Sequence, residues 1–190
     1  MTFIFLIKNM NNTINILAIG DIVGSPGRNI LNNRLQGIKD QFRIDFIIAN
    51  GENSAGGNAI TPDTAEEIFH SGVDVITTGN HVFNNKEILK ILDTNKPIIR
   101  PANYPQGVSG KGYVTVMYKG IHITVINLMG RVNLMPIDCP FRVFDKIYSE
   151  IKHSSDIIVI DFHAEATSEK RALGWYVDGR ASALFGTHTH

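Results

Sequence analysis

Five apolar runs of strand length recur along this chain, and each one stops at a polar cluster. They are INILAIG (14–20), DFIIAN (45–50), VDVITTGN (73–80), DIIVIDFH (156–163) and ASALFG (181–186). Nearly continuous hydrophobicity with frequent Ile and Val marks strands buried on both faces, so helices must cover them. Helical segments stand between them. Ser25 caps a helix that starts at Pro26 and runs to about Asp40; Thr61-Pro62 opens another that Gly72 closes. NKEILKIL, a stretch from about Phe141, and SEKRALGWYV complete the helical set. GYVTVMYKGIHITVINL alternates on both arms and turns at Lys119-Gly120, which predicts an antiparallel hairpin. The sum is an α/β domain with a largely buried, mostly parallel or mixed sheet.

The polar clusters matter more than the element count. The first strand leads to Gly20-Asp21, the second to Gly51-Glu52-Asn53 and the third to Gly79-Asn80-His81. The fourth ends on His163 and the last on His188 and His190. In parallel α/β sheets the carboxyl ends of the strands share one edge, where ligands bind. Taken singly, each residue has a plainer role: Asp21 as a turn former, Asn80 as a turn holder, His163 as a hydrogen-bonded core histidine. Together, Asp21, Glu52, Asn53, Asn80, His81, His163, His188 and His190 form a mixed oxygen and nitrogen donor set. Such a set is too rich for one tetrahedral zinc and suits two ions with octahedral leanings, iron or manganese. Buried without metal it would be a costly desolvated pocket. The pattern reads as a two-metal hydrolase centre. His70, His122 and His153 fall inside helical or hairpin patterns and stay outside the set. GDIVGSPGR resembles a phosphate loop but has neither Gly-x-Gly-x-x-Gly nor a Gly-Lys-Ser/Thr ending, so both nucleotide-fold readings are rejected.

Composition sets the outer limits. With 190 residues the chain can bury a substantial core, and residues 14–190 read as one domain after a short extension, 1–13. Met10 is an alternative start to Met1. The apolar run Phe3 to Ile7 is too short for a signal-peptide core, and no stretch has the length of a membrane span. Eighteen basic residues balance eighteen acidic ones, so no extended nucleic-acid groove is expected, although a small phosphorylated substrate fits. Cys139 is the single cysteine, which excludes an intrachain disulfide and a cysteine zinc cluster and suits the cytoplasm.

With these residues in place, the sequence resembles the calcineurin-like metallophosphoesterases, specifically their YmdB-like branch. The resemblance runs from about Asn15 to His190 through GDIVGSPGR, ANGENSAGG, ITTGNHVF, RPANYP, GKGY, LMGR, DCPFR, DFHAEATSEK, ALGWYVDGR and GTHTH. The wider superfamily's Asp-x-His is here Asp21-Ile22-Val23, and its Gly-Asp-x-x-Asp is replaced by Gly51-Glu52-Asn53. The resemblance implies a sandwich of two mixed β-sheets flanked by helices. It also implies that Asp21, Asn53 and His190 hold one metal ion, that Asn80, His163 and His188 hold the other, and that Glu52 bridges them. His81 would be the general acid rather than a ligand, aimed at substrate, and Arg100, Arg131 and Arg142 are candidates for holding phosphate or for ordinary ion pairs. The implied activity is hydrolysis of cyclic nucleotides or related small phosphodiesters; homo-oligomer contacts are left open. Relatives continue past THTH, so the second sheet is expected to be incomplete. An alternative of another class is a weakly active or inactive remnant that binds metal or nucleotide and regulates a partner.

Overall fold

The computed structural model describes residues 2–9 and 12–189. His190, expected as a metal ligand, and both candidate start residues, Met1 and Met10, lie outside the described residues.

Two four-stranded sheets form the centre. The first has the order β1 (Thr2–Asn9), β2 (Asn12–Ile19), β3 (Phe46–Asn50), β4 (Val75–Thr77); the second has β5 (Tyr113–Tyr118), β6 (Ile121–Met129), β7 (Ile157–His163), β8 (Ala183–Thr187). In each, the outer first strand is antiparallel to the second and the remaining pairs are parallel, so both sheets are mixed as expected. The stretch read as an extension carries β1, paired from Thr2↔Ile19 to Asn9↔Asn12.

Strand periodicity sorts side chains into three apolar layers. Ile16, Ala18, Phe46, Ile48 and Val75 face Ile123, Val125, Val159 and Phe185 across the space between the sheets. Leu17, Ile47 and Ile76 point the other way, under α1 (Gly24–Phe42), α2 (Pro62–His70) and the short α3 (Leu89–Leu92), the last entered through a 3-10 turn. Ile126, Leu128, Ile158, Ile160 and Phe162 pack against α4 (Pro140–Ile151) and α5 (Thr167–Val177). The result is two mixed sheets stacked face to face with helices outside both.

The helix starts show where local sequence decides. Thr61 caps α2 through a reciprocal box with Thr64, and Pro62 follows at the first position, as its sequence predicts. At α1 the expectation needs correction: Ser25 is not the cap. Val23 occupies that position without a side-chain bond, and the helix begins at Gly24. Tertiary backbone bonds, Ile22 N–H to Asn50 O and Gly24 N–H to Asn53 O at 2.9 Å each, pull the chain into helix early. No helix among the described residues is long and apolar enough to cross a membrane.

Candidate metal centre

The face between the sheets is apolar until its carboxyl-end edge, where it turns polar. Continuing the inward register of each strand gives Asn50 on β3, Thr77 on β4, Asn127 on β6, Asp161 on β7 and Thr187 on β8. All are buried, and they bond to one another. Asp161 accepts from Thr187 Oγ1 at 2.8 Å, from Asn50 Nδ2 at 3.2 Å and from Thr77 Oγ1. Burial pushes the Asp161 carboxyl up to about 6, against the opposing hydrogen bonds and the nearby His163. Asn127 Oδ1 accepts the Thr78 N–H at 3.0 Å and so fixes the turn that leads to Asn80.

On this polar floor stand the ligand candidates. His163, fully buried, ends β7; its Nδ1 lies 2.9 Å from Thr187 Oγ1, which itself donates to Asp161. This chain of bonds places the ring proton on Nδ1 and leaves the Nε2 lone pair facing the cluster. Around Nε2 lie Asn80 Oδ1 at 2.9 Å, His188 Nδ1 at 3.1 Å and Glu52 Oε1 at 3.2 Å. The other His188 nitrogen, Nε2, is 2.9 Å from Glu165 Oε2, so its proton belongs there and Nδ1 faces inward. His188 has φ 93°, a conformation costing on the order of 1–3 kcal/mol in a non-glycine residue. Its backbone N–H donates to Asp21 Oδ1 at 3.1 Å, which holds it there.

Charge reinforces this geometry. Burial works against ionising Glu52, yet His163 and the His81 backbone N–H, 3.1 Å from Oε2, hold its carboxyl below the usual range. Burial likewise opposes protonating His163, but Glu52 and Asp161 raise it above the ordinary histidine value. Burial and the neighbouring His163 push His188 below it. The cluster calls for positive charge at one point. A single proton satisfies one of these converging lone pairs well; a metal ion satisfies all of them. Donor atoms of Glu52, His163 and His188 lie within 4.8 Å of one another. Space is reserved as well: a Cβ on Gly79 would lie 2.4 Å from Glu52 Oε2 and 2.4 Å from His163 Nε2. The residues present fit an ion here.

The second half of the expected set is arranged differently. Asn53 is buried beside Asp21 and Glu52, with Nδ2 at 3.3 Å from Asp21 Oδ2 and 3.4 Å from Glu52 Oε1. Its oxygen faces His81 Nδ1 at 2.7 Å. Ligation through Asn53 Oδ1 therefore requires turning the amide over, a rotation about its terminal torsion. Glu52 touches both halves. His81, whose side chain is 32% exposed, is anchored by Asn53 and lies 3.5 Å from Glu52 through the same Nδ1, leaving Nε2 as its outward nitrogen. The structure thus brings together Asp21, Glu52, Asn53, Asn80, His81, His163 and His188.

Sequence reasoning missed the buried floor and Glu165. The signal for Asp161 and Thr187 was present: each shares an inward register with a residue beside it at the site, two positions from His163 on β7 and directly paired with it across β8. Arg100, one of the candidates for phosphate, is a backbone clamp, its guanidinium donating to the carbonyls of Pro101 at 2.8 Å, Val108 at 3.0 Å and Ser109 at 3.2 Å.

Known proteins share this sequence and architecture. The family described as YmdB-like protein matches residues 17–190. A 2′,3′-cyclic-nucleotide 2′-phosphodiesterase of Bacillus subtilis (strain 168) is 49% identical over 175 residues, covering 92% of this chain and 66% of the relative. Among solved structures, a hypothetical protein from Thermus thermophilus superposes with TM-score 0.87 at 41% identity, over 92% of this chain and 68% of the other. A novel phosphatase from Mycoplasma pneumoniae gives 0.88 at 34%, over 95% and 66%. The chain thus spans about two thirds of the length of these relatives. Agreement of this extent in sequence and in fold settles the lineage: the chain belongs to the family of YmdB-like proteins.

Proposed function

We propose that this chain carries the metal centre of a phosphodiesterase that hydrolyses cyclic nucleotides or related small phosphodiesters. The observation that carries the reading is the convergence of Glu52, Asn80, His163 and His188 lone pairs on one point. The name of the Bacillus subtilis relative supports the substrate class. Asn80, His163 and His188 would hold one ion, Asp21, Asn53 and His190 the other, with Glu52 shared; iron or manganese suits such mixed ligands. When bound, the ions supply a water-derived nucleophile near neutral pH and offset charge on the phosphoryl oxygens.

The chain's own residues do the rest. Asp161, through Thr187, keeps the His163 proton on Nδ1 and its lone pair inward. Glu165 does the same for His188 from the opposite nitrogen. Opening a cyclic phosphodiester breaks one P–O bond and releases a ribose oxygen that needs a proton. His81, whose Nδ1 lies beside Asn53 and Glu52, gives that proton from its outward nitrogen, Nε2.

The test is turnover of 2′,3′- and 3′,5′-cyclic AMP by purified protein with manganese or iron(II). Hydrolysis of at least one is expected, with His81→Ala lowering kcat by roughly 10²–10⁴-fold. No turnover of either, with His81→Ala indistinguishable from the parent, overturns the reading.

A further inference from the structure

Four sequence motifs play no part in the metal centre: RPANYP, GKGY, LMGR and DCPFR. In the fold they meet, each contributing to the wall of one cavity of about 610 Å³, the size of a small-ligand site. Its frame is internally satisfied. Arg100 clamps the loop that follows it, and buried Asn103 donates to Met129 O at 2.7 Å and Asp138 O at 3.0 Å while accepting from Met129 N–H at 2.8 Å. Three lining cations are left over. Arg131, Arg142 and Lys146 form no side-chain ion pair or hydrogen bond with any described residue. Two carboxylates also line the cavity, Asp138 and Glu150, and Glu150 is engaged by Tyr113 Oη at 3.1 Å.

The cavity adjoins the metal centre. Gly130 N–H donates to His163 O at 2.9 Å, so Arg131 leaves the sheet edge beside that histidine. Tyr104 forms the shared wall, packed edge-on against Phe83 with ring centroids 5.3 Å apart, two residues from His81. Burial, together with the Glu52 carboxylate, pushes the Tyr104 phenol up to about 12, which keeps it neutral beside the site.

Two guanidinium groups and an ammonium recognise phosphate by charge and, for arginine, by paired donors. The chain has no net charge, so this is a local anion site rather than part of a broad basic surface for long nucleic acid. We infer that Arg131, Arg142 and Lys146 bind a second phosphate of the substrate, making a cyclic nucleotide with a 5′-phosphate the preferred ligand over one without. This deepens the phosphodiesterase reading and rests on it for the reacting end of the ligand.

The experiment compares adenosine 2′,3′-cyclic phosphate with its 5′-phosphorylated counterpart. In manganese-loaded parent protein the 5′-phosphorylated substrate should have a KM lower by roughly ten-fold or more, the value of one lost charge-assisted bond. In the variant carrying Arg131→Gln, Arg142→Gln and Lys146→Gln that preference should collapse to within about two-fold, and added salt should shrink it in the parent. Calorimetric titration of chelator-treated protein with the same two ligands gives a second readout that needs no turnover. Calorimetric preference without hydrolysis would leave the anion site standing and sink the phosphodiesterase reading alone. Hydrolysis with equal KM values, or a preference that survives in the triple variant, overturns the anion site alone. Circular dichroism of the variant guards against misfolding, and Arg142→Lys, which keeps the charge, should recover part of the preference.

Discussion

His163 illustrates how much of a candidate metal centre resides behind its donor atoms. Its outward lone pair exists because Nδ1 is held by Thr187, and Thr187 is held by Asp161. Thr187→Val keeps the shape and deletes the hydroxyl, so both partners lose their bond. Manganese affinity should then fall by roughly 10–100-fold while the circular dichroism spectrum stays unchanged, and Thr187→Ser should restore most of it. Calorimetric metal titration checks this; unchanged affinity in Thr187→Val would deny Asp161 and Thr187 any part in holding the ion. Gly79 makes the complementary case, since the space beside it is reserved. Gly79→Ala places a methyl against Glu52 and His163, which should cost about 1–3 kcal/mol of stability from overpacking and abolish metal binding. Thermal melts with and without manganese should show a lowered Tm and no metal-induced rise.

Among elements, the strands set the site by where their inward registers end. On β3 and β7 the inward face runs Phe46, Ile48, Asn50 and Ile157, Val159, Asp161, His163, apolar first and polar at the edge. Asp74, just before β4, ties that short strand to β3 by accepting the Ile47 N–H at 2.8 Å. Burial holds its carboxyl above the ordinary value, against the Ile47 N–H and Lys39. A carboxyl raised in the folded state stabilises most when protonated; that contribution is complete below its unfolded value and is lost as pH rises through the folded one. Asp74→Asn keeps an acceptor for Ile47 and removes the charge. Its stability relative to the parent should therefore be greater at pH 7 than at pH 3, as measured by urea unfolding at both; a gap that widens toward acid contradicts the assignment. Much at this scale was legible in the sequence. The continuous apolar runs, the hairpin at Lys119-Gly120 and the Thr61-Pro62 helix start all rest on local chemistry. What was not legible depends on distant partners. β1 is a strand through its pairing with β2, and α1 starts at Gly24 through bonds to the 50–53 loop. Asp161 and Asn127 were hidden inside apolar runs, where only the two-residue period distinguishes the inner face.

For the whole molecule, the two sheets must be stacked before the centre exists. Glu52 and Asn80 follow strands of the first sheet, and His163 and His188 belong to the edge of the second. The apolar layer between the sheets thus positions the chemistry, and Phe46, fully buried within it, should be a sensitive point. Phe46→Ala should cost about 3–5 kcal/mol, a marked drop in Tm by calorimetry. Conversely, an ion held by both sheets should stabilise the stack, by about 2.7 kcal/mol at a hundred-fold excess over its Kd. The central claim is that the converging donors form a metal centre shared by both sheets. Manganese binding to chelator-treated protein, counted by elemental analysis after desalting and followed by thermal melting, tests it most directly. Two ions per chain and a raised Tm are expected in the parent, with both lost or sharply reduced in Glu52→Gln. No bound ion in the parent, or equal binding in Glu52→Gln, would contradict the claim.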